Sequence, residues 1–265
     1  MKGPAFSTLA CPGWPLEVAL TKGREYGYRA VELRLVDGHL IEASMPEAER
    51  TRVRGLLSSS GLDLVAVDSS IRLTDGEPEA VADQVARFLE LAAGWGAPLV
   101  RVFGGPGERG RAVKALRLAA REVERSGVSV ALETHDEFSS SAVVADVLDV
   151  LDAPAIGAVW DVVHTHRMGE TPADVVARLG DRILDVHVKD ARRTSSGGSW
   201  ADGFGYVLLG EGEVPVRACL DALRAAGYDR WIVAEWEKHW HPEIEEPEVA
   251  LPQHATLLRE WLDTP

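Results

Sequence analysis

Short apolar runs alternate with longer amphipathic segments along the whole chain. The apolar runs read as buried parallel strands: Ala5–Ala10, Ala30–Leu35, Asp63–Asp68, Pro98–Gly104, Val128–Asp136, Ala158–His164, Ile183–Asp190 and Trp231–Glu237. The segments between them carry apolar stripes at helical spacing, with punctuation at both ends. Pro15, Pro46, Pro78, Pro215 and Pro247 open five of them, and Thr171–Pro172 opens another as an N-cap followed by proline. Gly27, Gly61, Gly96, Gly127, Gly180 and Gly227 close helices. The third stripe is representative, with Val81, Val85, Phe88, Leu89 and Ala92 running to Gly96. The fourth carries Val113, Leu116, Ala120 and Val123, and the fifth Val143, Val147, Leu148 and Leu151.

Eight strand–helix units in 265 residues give about 33 residues per unit, the length and order of an α/β (β/α)8 TIM barrel. The expected architecture is therefore a single domain over residues 1–265. A doubly wound sheet is the alternative, but it would announce a glycine-rich nucleotide turn after the first strand, and Cys11–Pro15 (CPGWP) is not one. The longest irregular stretch, Ala191–Gly212, is expected to be a lid at the functional end.

The last four strands share a second pattern: each closes on a carboxylate or an imidazole. In a barrel of this kind the C-terminal strand ends face one shared mouth. Glu133, Asp161, His187 and Glu235 would then converge from consecutive strands. Three oxygen donors and one nitrogen suit a single divalent metal ion, Mn²⁺, Mg²⁺ or Co²⁺, with Zn²⁺ also admitted. Glu237 has the same facing as Glu235, which is preferred as the residue at the strand end.

Composition narrows the partners. A net charge of −14 disfavours nucleic acid, which needs concentrated Lys and Arg. No apolar run approaches the roughly 20 residues of a membrane span, and the N-terminus lacks the apolar core of a signal peptide. Cys11 and Cys219 stand far apart in no metal-like spacing and read as reduced thiols of a cytoplasmic protein.

Several motifs carry a resemblance that covers the whole chain: GYRAVELR (27–34), VRVFGG (100–105), ALETHD (131–136), WDVVH (160–164), DVHVKD (185–190), LLGEGEVP (208–215) and GYDRWIVAEWE (227–237). Together they resemble the sugar phosphate isomerase/epimerase group of the xylose isomerase-like TIM-barrel superfamily. That group includes ketose 3-epimerases, hydroxypyruvate isomerases, inosose dehydratases and dehydroshikimate dehydratases. The resemblance implies that Glu133, Asp161, His187 and Glu235 bind one divalent cation. It implies substrate-binding roles for His164 and for Arg193, with neighbouring Arg192 competing for the latter. Epimerases of the group often have a second Glu six residues after the strand-five ligand. Here that position is Ser139, a departure that weakens the epimerase reading.

A cation chelating a carbonyl and an adjacent hydroxyl acidifies the neighbouring C–H and stabilises the resulting enediolate. Glu133 and Glu235 are the candidate catalytic acid/base pair on either side of a polyhydroxylated small molecule. Returning the proton gives isomerisation or epimerisation, and expelling a β-hydroxyl gives dehydration; the first is the leading expectation and the second its alternative. A non-catalytic ligand-binding barrel is a third reading. An apurinic endonuclease is a fourth, against which stands His39 as the sole histidine before His135.

The remaining candidates have plain structural alternatives. His135, Asp136, Lys189 and Asp190 either line the mouth or form solvated or ion-paired strand ends. Arg34 and Arg101 lie on strands and read as pocket-facing or paired. Gly104–Gly107 reads as a tight turn or a phosphate cradle. Trp200, Phe204 and Tyr206 read as a cover for a sugar face or a contact within a homo-oligomer. His239, Trp240 and His241 can reach the mouth without being ligands.

Overall fold

In the computed structural model, which describes residues 1–151, 153–193 and 203–263, eight parallel strands close on themselves. They are β1 (Gly3–Ser7), β2 (Ala30–Leu33), β3 (Asp63–Arg72), β4 (Leu99–Phe103), β5 (Ser129–Glu133), β6 (Ile156–Asp161), β7 (Ile183–Val188) and β8 (Trp231–Ala234). Each pairs with its neighbours in sequence, and β8 returns to β1 through Gly3–Trp231 and Phe6–Ala234. This is a (β/α)8 barrel in one domain.

Around it lie helices α1 (Leu16–Tyr26), α2 (Glu47–Ser60), α3 (Pro78–Trp95), α4 (Arg109–Ser126), α5 (Ser141–Leu148), α6 (Val162–Arg167), α7 (Pro172–Leu179), α8 (Val216–Ala225) and α9 (Pro247–Asp263). The glycine stops work as local chemistry demands. Gly27, Gly61, Gly96 and Gly127 each take a left-handed conformation directly after α1–α4, which only glycine enters without strain. At the start of α7, Thr171 and Asp174 exchange side-chain and backbone hydrogen bonds in a full capping box, worth about 1 kcal/mol.

Every second strand residue turns into the barrel, and the two rows pack separately. The outward row, including Val31, Val100, Val130, Leu132, Val186 and Ile232, joins the helices in the larger core. The inward row begins apolar, with Ala5, Ala30, Leu99, Ala131, Val159 and Val233 filling the barrel's lower layers. Two residues further along five of these strands the same row turns charged: Glu32, Arg101, Glu133, Asp161 and Glu235. The switch from apolar to charged at one height is what makes the upper barrel a site rather than a core.

The structure differs from the sequence pattern most clearly in three places. The sixth strand was expected through His164, but it ends at Asp161 and gives way to α6. Asp161 itself causes the change: its Oδ1 accepts from the Val163 and His164 backbone N–H groups at 2.9 and 3.1 Å, making it the N-cap. At the Ala191–Gly212 stretch, Asp190–Arg193 runs antiparallel to Phe204–Val207 as a two-stranded ladder. A hairpin joins Leu35–Val36 to His39–Leu40. Trp200, an expected cover for the substrate, lies outside the described residues.

Candidate metal centre at the barrel mouth

The register of the sheet explains how the charged ends meet. Asp161 is paired directly with His187 across β6 and β7, and Ala234 with Val188 across β7 and β8, which sets Glu235 level with Lys189. One donor atom each from Glu133, Asp161, His187 and Glu235 lies within 4.8 Å of the other three. Metal–ligand bonds of about 2.0–2.2 Å put donors on one cation within roughly 4.4 Å of one another. The set therefore fits a divalent cation after small side-chain adjustment. All four residues are buried.

A second layer orients the imidazole. His187 Nε2 lies 2.9 Å from Glu32 Oε2, and Asp185 Oδ2 is 3.9 Å away. With Nε2–H committed to Glu32, Nδ1 turns to Glu235 Oε1 at 3.4 Å and Glu133 Oε1 at 3.7 Å. A carboxylate behind a ligating histidine is the arrangement that fixes tautomer and ring orientation in metal sites. Burial works against a charged imidazole, but Glu32 and Glu235 outweigh it and hold the His187 pKa well above its usual value. A cation would have to displace the Nδ1 proton, so its affinity rises with pH.

The carboxylates differ in how they are held. Burial alone would raise Glu133, but Arg101 and His187 overcome it and bring its pKa to about 2. Arg101, itself buried, lies 3.0 Å from Glu133 Oε2 through Nε and 3.3 Å from Asp68 Oδ2 through Nη2. Burial likewise opposes the ionisation of Glu235, yet Lys189 and His187 hold its pKa well below the usual range. Asp161 goes the other way, pushed up to about 6 by burial despite Lys189.

Of the two places the sequence allowed for Lys189, the mouth or an ion pair at the strand end, the structure gives the ion pair. Lys189 continues the inward row Asp185–His187–Lys189 and is fully buried. Its Nζ contacts Asp161 Oδ2 at 2.7 Å, Glu237 Oε1 at 2.6 Å and Glu235 Oε2. An ammonium thus neutralises two of the donors from one side. Glu237 belongs to this ion-pair cluster, also accepting a hydrogen bond from the Tyr206 hydroxyl at 3.0 Å. The four-donor group takes Glu235 instead.

Above the donors opens a cavity of about 760 Å³, lined by Arg34, Arg72, Arg101, Phe103, Glu133, His135, Ser139, His164, Tyr206, Glu235 and Glu237 among others. His164 is buried, and desolvation, with His135 next, lowers its pKa well below the usual imidazole value, leaving it neutral. His135 packs edge-on against it at 4.5 Å and meets Asp136 Oδ1 at 2.9 Å. Burial disfavours the His135 cation, but Asp136 and Glu133 prevail and raise its pKa. Ser139 is a cavity-lining hydroxyl, as the sequence departure from the epimerase pattern leaves it.

Other expected contacts are placed elsewhere. Residues directly opposite in an antiparallel ladder share a face, so the Ala191–Tyr206 and Arg193–Phe204 pairs put Arg193, not Arg192, on the Tyr206 side. Arg193 is nevertheless exposed, its guanidinium over the Phe204 ring at 4.5 Å, and it does not line the cavity. The ladder carries it one step beyond Tyr206, out of the mouth. Asp190 is structural: its carboxylate accepts from the N–H groups of Ala191, Gly210, Gly212 and Val214, which fixes the LGEGEV return. A Cβ at Gly212 would lie 2.0 Å from that carboxylate, so only glycine fits. The Gly104–Gly107 segment is a packed turn, since Gly107 N–H is spent on Thr74 Oγ1 at 2.9 Å and Gly104 sits against the Phe138 ring.

Glu32 and Asp68 were not singled out by the sequence reading. The available signal was a carboxylate inside an otherwise apolar strand, Glu32 in AVELRL and Asp68 in DLVAVD. Both are fully buried, a cost sustained only where a partner or function requires it.

The model of the xylose isomerase-like TIM barrel family matches residues 20–261. The chain belongs to that family. Within it, the 3-oxo-isoapionate decarboxylase of Pectobacterium atrosepticum is 26% identical over 216 residues, 79% of this chain and 72% of that protein. An inosose dehydratase of Lacticaseibacillus casei is 24% identical over 156 residues, 54% of this chain and 49% of the dehydratase, so the match spans about half of that relative. A solved L-ribulose 3-epimerase superposes with a TM-score of 0.78 at 16% identity, covering 100% of this chain and 95% of the epimerase. That likeness is one of fold. Among the described residues, no helix is long and apolar enough to cross a membrane.

Proposed function

We propose that this xylose isomerase-like barrel is a divalent-metal-dependent enzyme that moves a proton beside the carbonyl of a polyhydroxylated small molecule, as an isomerase or epimerase. The observation that carries this reading is the set of four donor atoms, one from each of four successive strand ends, within 4.8 Å of one another under an open cavity. A divalent cation held by these four residues would supply positive charge that acidifies a C–H beside a bound carbonyl.

The chain's own residues supply the rest. Arg101 keeps Glu133 ionised, and Lys189 with His187 does the same for Glu235. Two carboxylates that remain anionic at neutral pH are set on β5 and just after β8; either can take the substrate proton, and the carboxyl so formed is the acid that returns it. Neutral His164 and the Tyr206 hydroxyl offer hydrogen bonds to substrate hydroxyls from the wall. Glu32 holds His187 in the tautomer that presents Nδ1 to the centre.

A second reading, dehydration, draws on one particular residue. Ser139 stands in the cavity wall where epimerases of the group often have a second Glu. An inosose dehydratase and a decarboxylase among the relatives support keeping this second reading beside the first.

The test is proton NMR of candidate ketoses and keto acids in D₂O with Mg²⁺-loaded protein. The reading predicts deuterium entering the position beside the carbonyl in the wild type and none in Glu133→Gln. Appearance of an enone absorbance would select dehydration. Absence of both exchange and elimination across the panel overturns the proposal.

A further inference from the structure

Arg34 continues the inward row Ala30–Glu32–Arg34 into the same cavity as Glu133 and Glu235. Its residue exposure is only 4%, yet among the described residues it forms no ion pair. Its one engaged nitrogen, Nη1, donates to the Asp68 carbonyl oxygen at 3.2 Å and to Ser70 Oγ at 2.9 Å, both uncharged acceptors. Arg101 on β4 makes the contrast: it too is buried, but it meets the carboxylates of both Asp68 and Glu133. A buried guanidinium with no carboxylate in direct contact is costly. Desolvation first, and Arg101 second, bring the Arg34 pKa down to about 10, which still leaves it cationic. Nε and Nη2 donate to none of the described residues. Together they form the edge of the fork that grips a carboxylate with two parallel hydrogen bonds.

We propose that Arg34 is the recognition residue for a carboxylate carried by the substrate, so that this barrel acts on a polyhydroxylated carbonyl acid rather than a neutral sugar. The inference rests on the proton-transfer reading above and names its substrate class. A carboxylate fits better than a phosphate for two reasons. The free edge of one guanidinium matches the two oxygens of a carboxylate, while the negative charges of Asp68, Glu133 and Glu235, which act on Arg34, oppose a dianion more strongly than a monoanion. The nearby glycine turn offers less to a phosphate, because its Gly107 N–H is already given to Thr74 Oγ1.

The test is calorimetric titration of the Mn²⁺-loaded protein with 2-keto-D-gluconate, D-fructose and D-fructose 6-phosphate. These share a six-carbon 2-keto chain and differ in bearing a carboxylate, no charge or a phosphate. The proposal predicts that 2-keto-D-gluconate binds at least tenfold more tightly than fructose, that the phosphate brings no gain, and that Arg34→Gln abolishes the preference. Equal binding of the acid and fructose, tightest binding of the phosphate, no binding by any of the three, or a preference that survives in Arg34→Gln overturns it. Should Arg34→Gln fail to fold, judged by thermal unfolding, the wild-type ranking alone decides. Mn²⁺ stoichiometry is measured in the same samples: a wild type that takes up no Mn²⁺ sinks the metal-centre reading, while the ranking still judges the carboxylate site.

Discussion

Two halves of the barrel mouth meet the problem of buried charge in opposite ways. Strands β5–β7 and the turn after β8 bring Glu133, Asp161, His187 and Glu235 together, with Lys189 as the internal counter-ion. Strands β2–β4 bring Arg34 and Arg101, with Asp68 and Glu32 below them. On the first side carboxylates outnumber cations, and on the second a guanidinium is left without a carboxylate of its own. Each half is electrostatically incomplete in the sense that suits a ligand: a cation for the first, an anion for the second. Arg101 joins them, since it spends its charge on Glu133 from the one and Asp68 from the other. The mouth is thus organised around two regions of opposite unmet charge, one on each side of Arg101.

The largest effects should come from the acidic half. Glu133→Gln and Glu235→Gln are each expected to lower turnover by roughly 10³-fold, within the range for loss of a positioned acid or base, while circular dichroism shows the fold retained. If turnover in both variants stays within tenfold of wild type, the two halves no longer differ in chemical role.

Lys189→Met comes next and separates counter-ion from catalyst. Leaving Asp161, Glu235 and Glu237 without their ammonium should cost about 3–5 kcal/mol in protein stripped with EDTA. Saturating Mn²⁺ should recover more of that loss in the variant than it adds to the wild type, because the cation now meets uncompensated carboxylates. Thermal unfolding with and without Mn²⁺ reads this directly. An identical Mn²⁺ increment in the two proteins would show that Lys189 and the cation do not share the same carboxylates.

Glu32→Gln probes the layer beneath. It keeps a hydrogen-bond acceptor for His187 Nε2 but removes the charge, so Mn²⁺ affinity should fall about 10–100-fold, measured by competition with a chelator. Unchanged affinity would reduce Glu32 to a packing residue.

Much of the scaffold was legible because its signals are local. Proline at helix starts and glycine after helix ends are backbone chemistry that needs no tertiary context, and they delimited most helices within a few residues. The strand-end donors were legible because a period-2 row that turns from apolar to charged must do so at one end of a barrel. What escaped was set by contacts distant in sequence. Glu32 lies 2.9 Å from His187 although far from it in the chain, so its facing became visible only when the barrel closed. The strand reading ran on to His164 because Val162 and Val163 look like strand, whereas the carboxylate of Asp161 starts a helix there. The resemblance suggested Arg193 for substrate, but the ladder register carries it past Tyr206 and onto Phe204. Lys189 was visible as a charged residue beyond β7, and only the register of β6, β7 and β8 set it among three carboxylates.

The central claim is that Glu133, Asp161, His187 and Glu235 hold one divalent cation. Its most direct test is metal content per chain, by elemental analysis after EDTA stripping, reloading with Mn²⁺ and desalting, for the wild type and His187→Ala. The account predicts one Mn²⁺ per chain in the wild type and near zero in His187→Ala, with both proteins folded. A wild type that retains no stoichiometric metal, or a His187→Ala variant that retains the full complement, would contradict it.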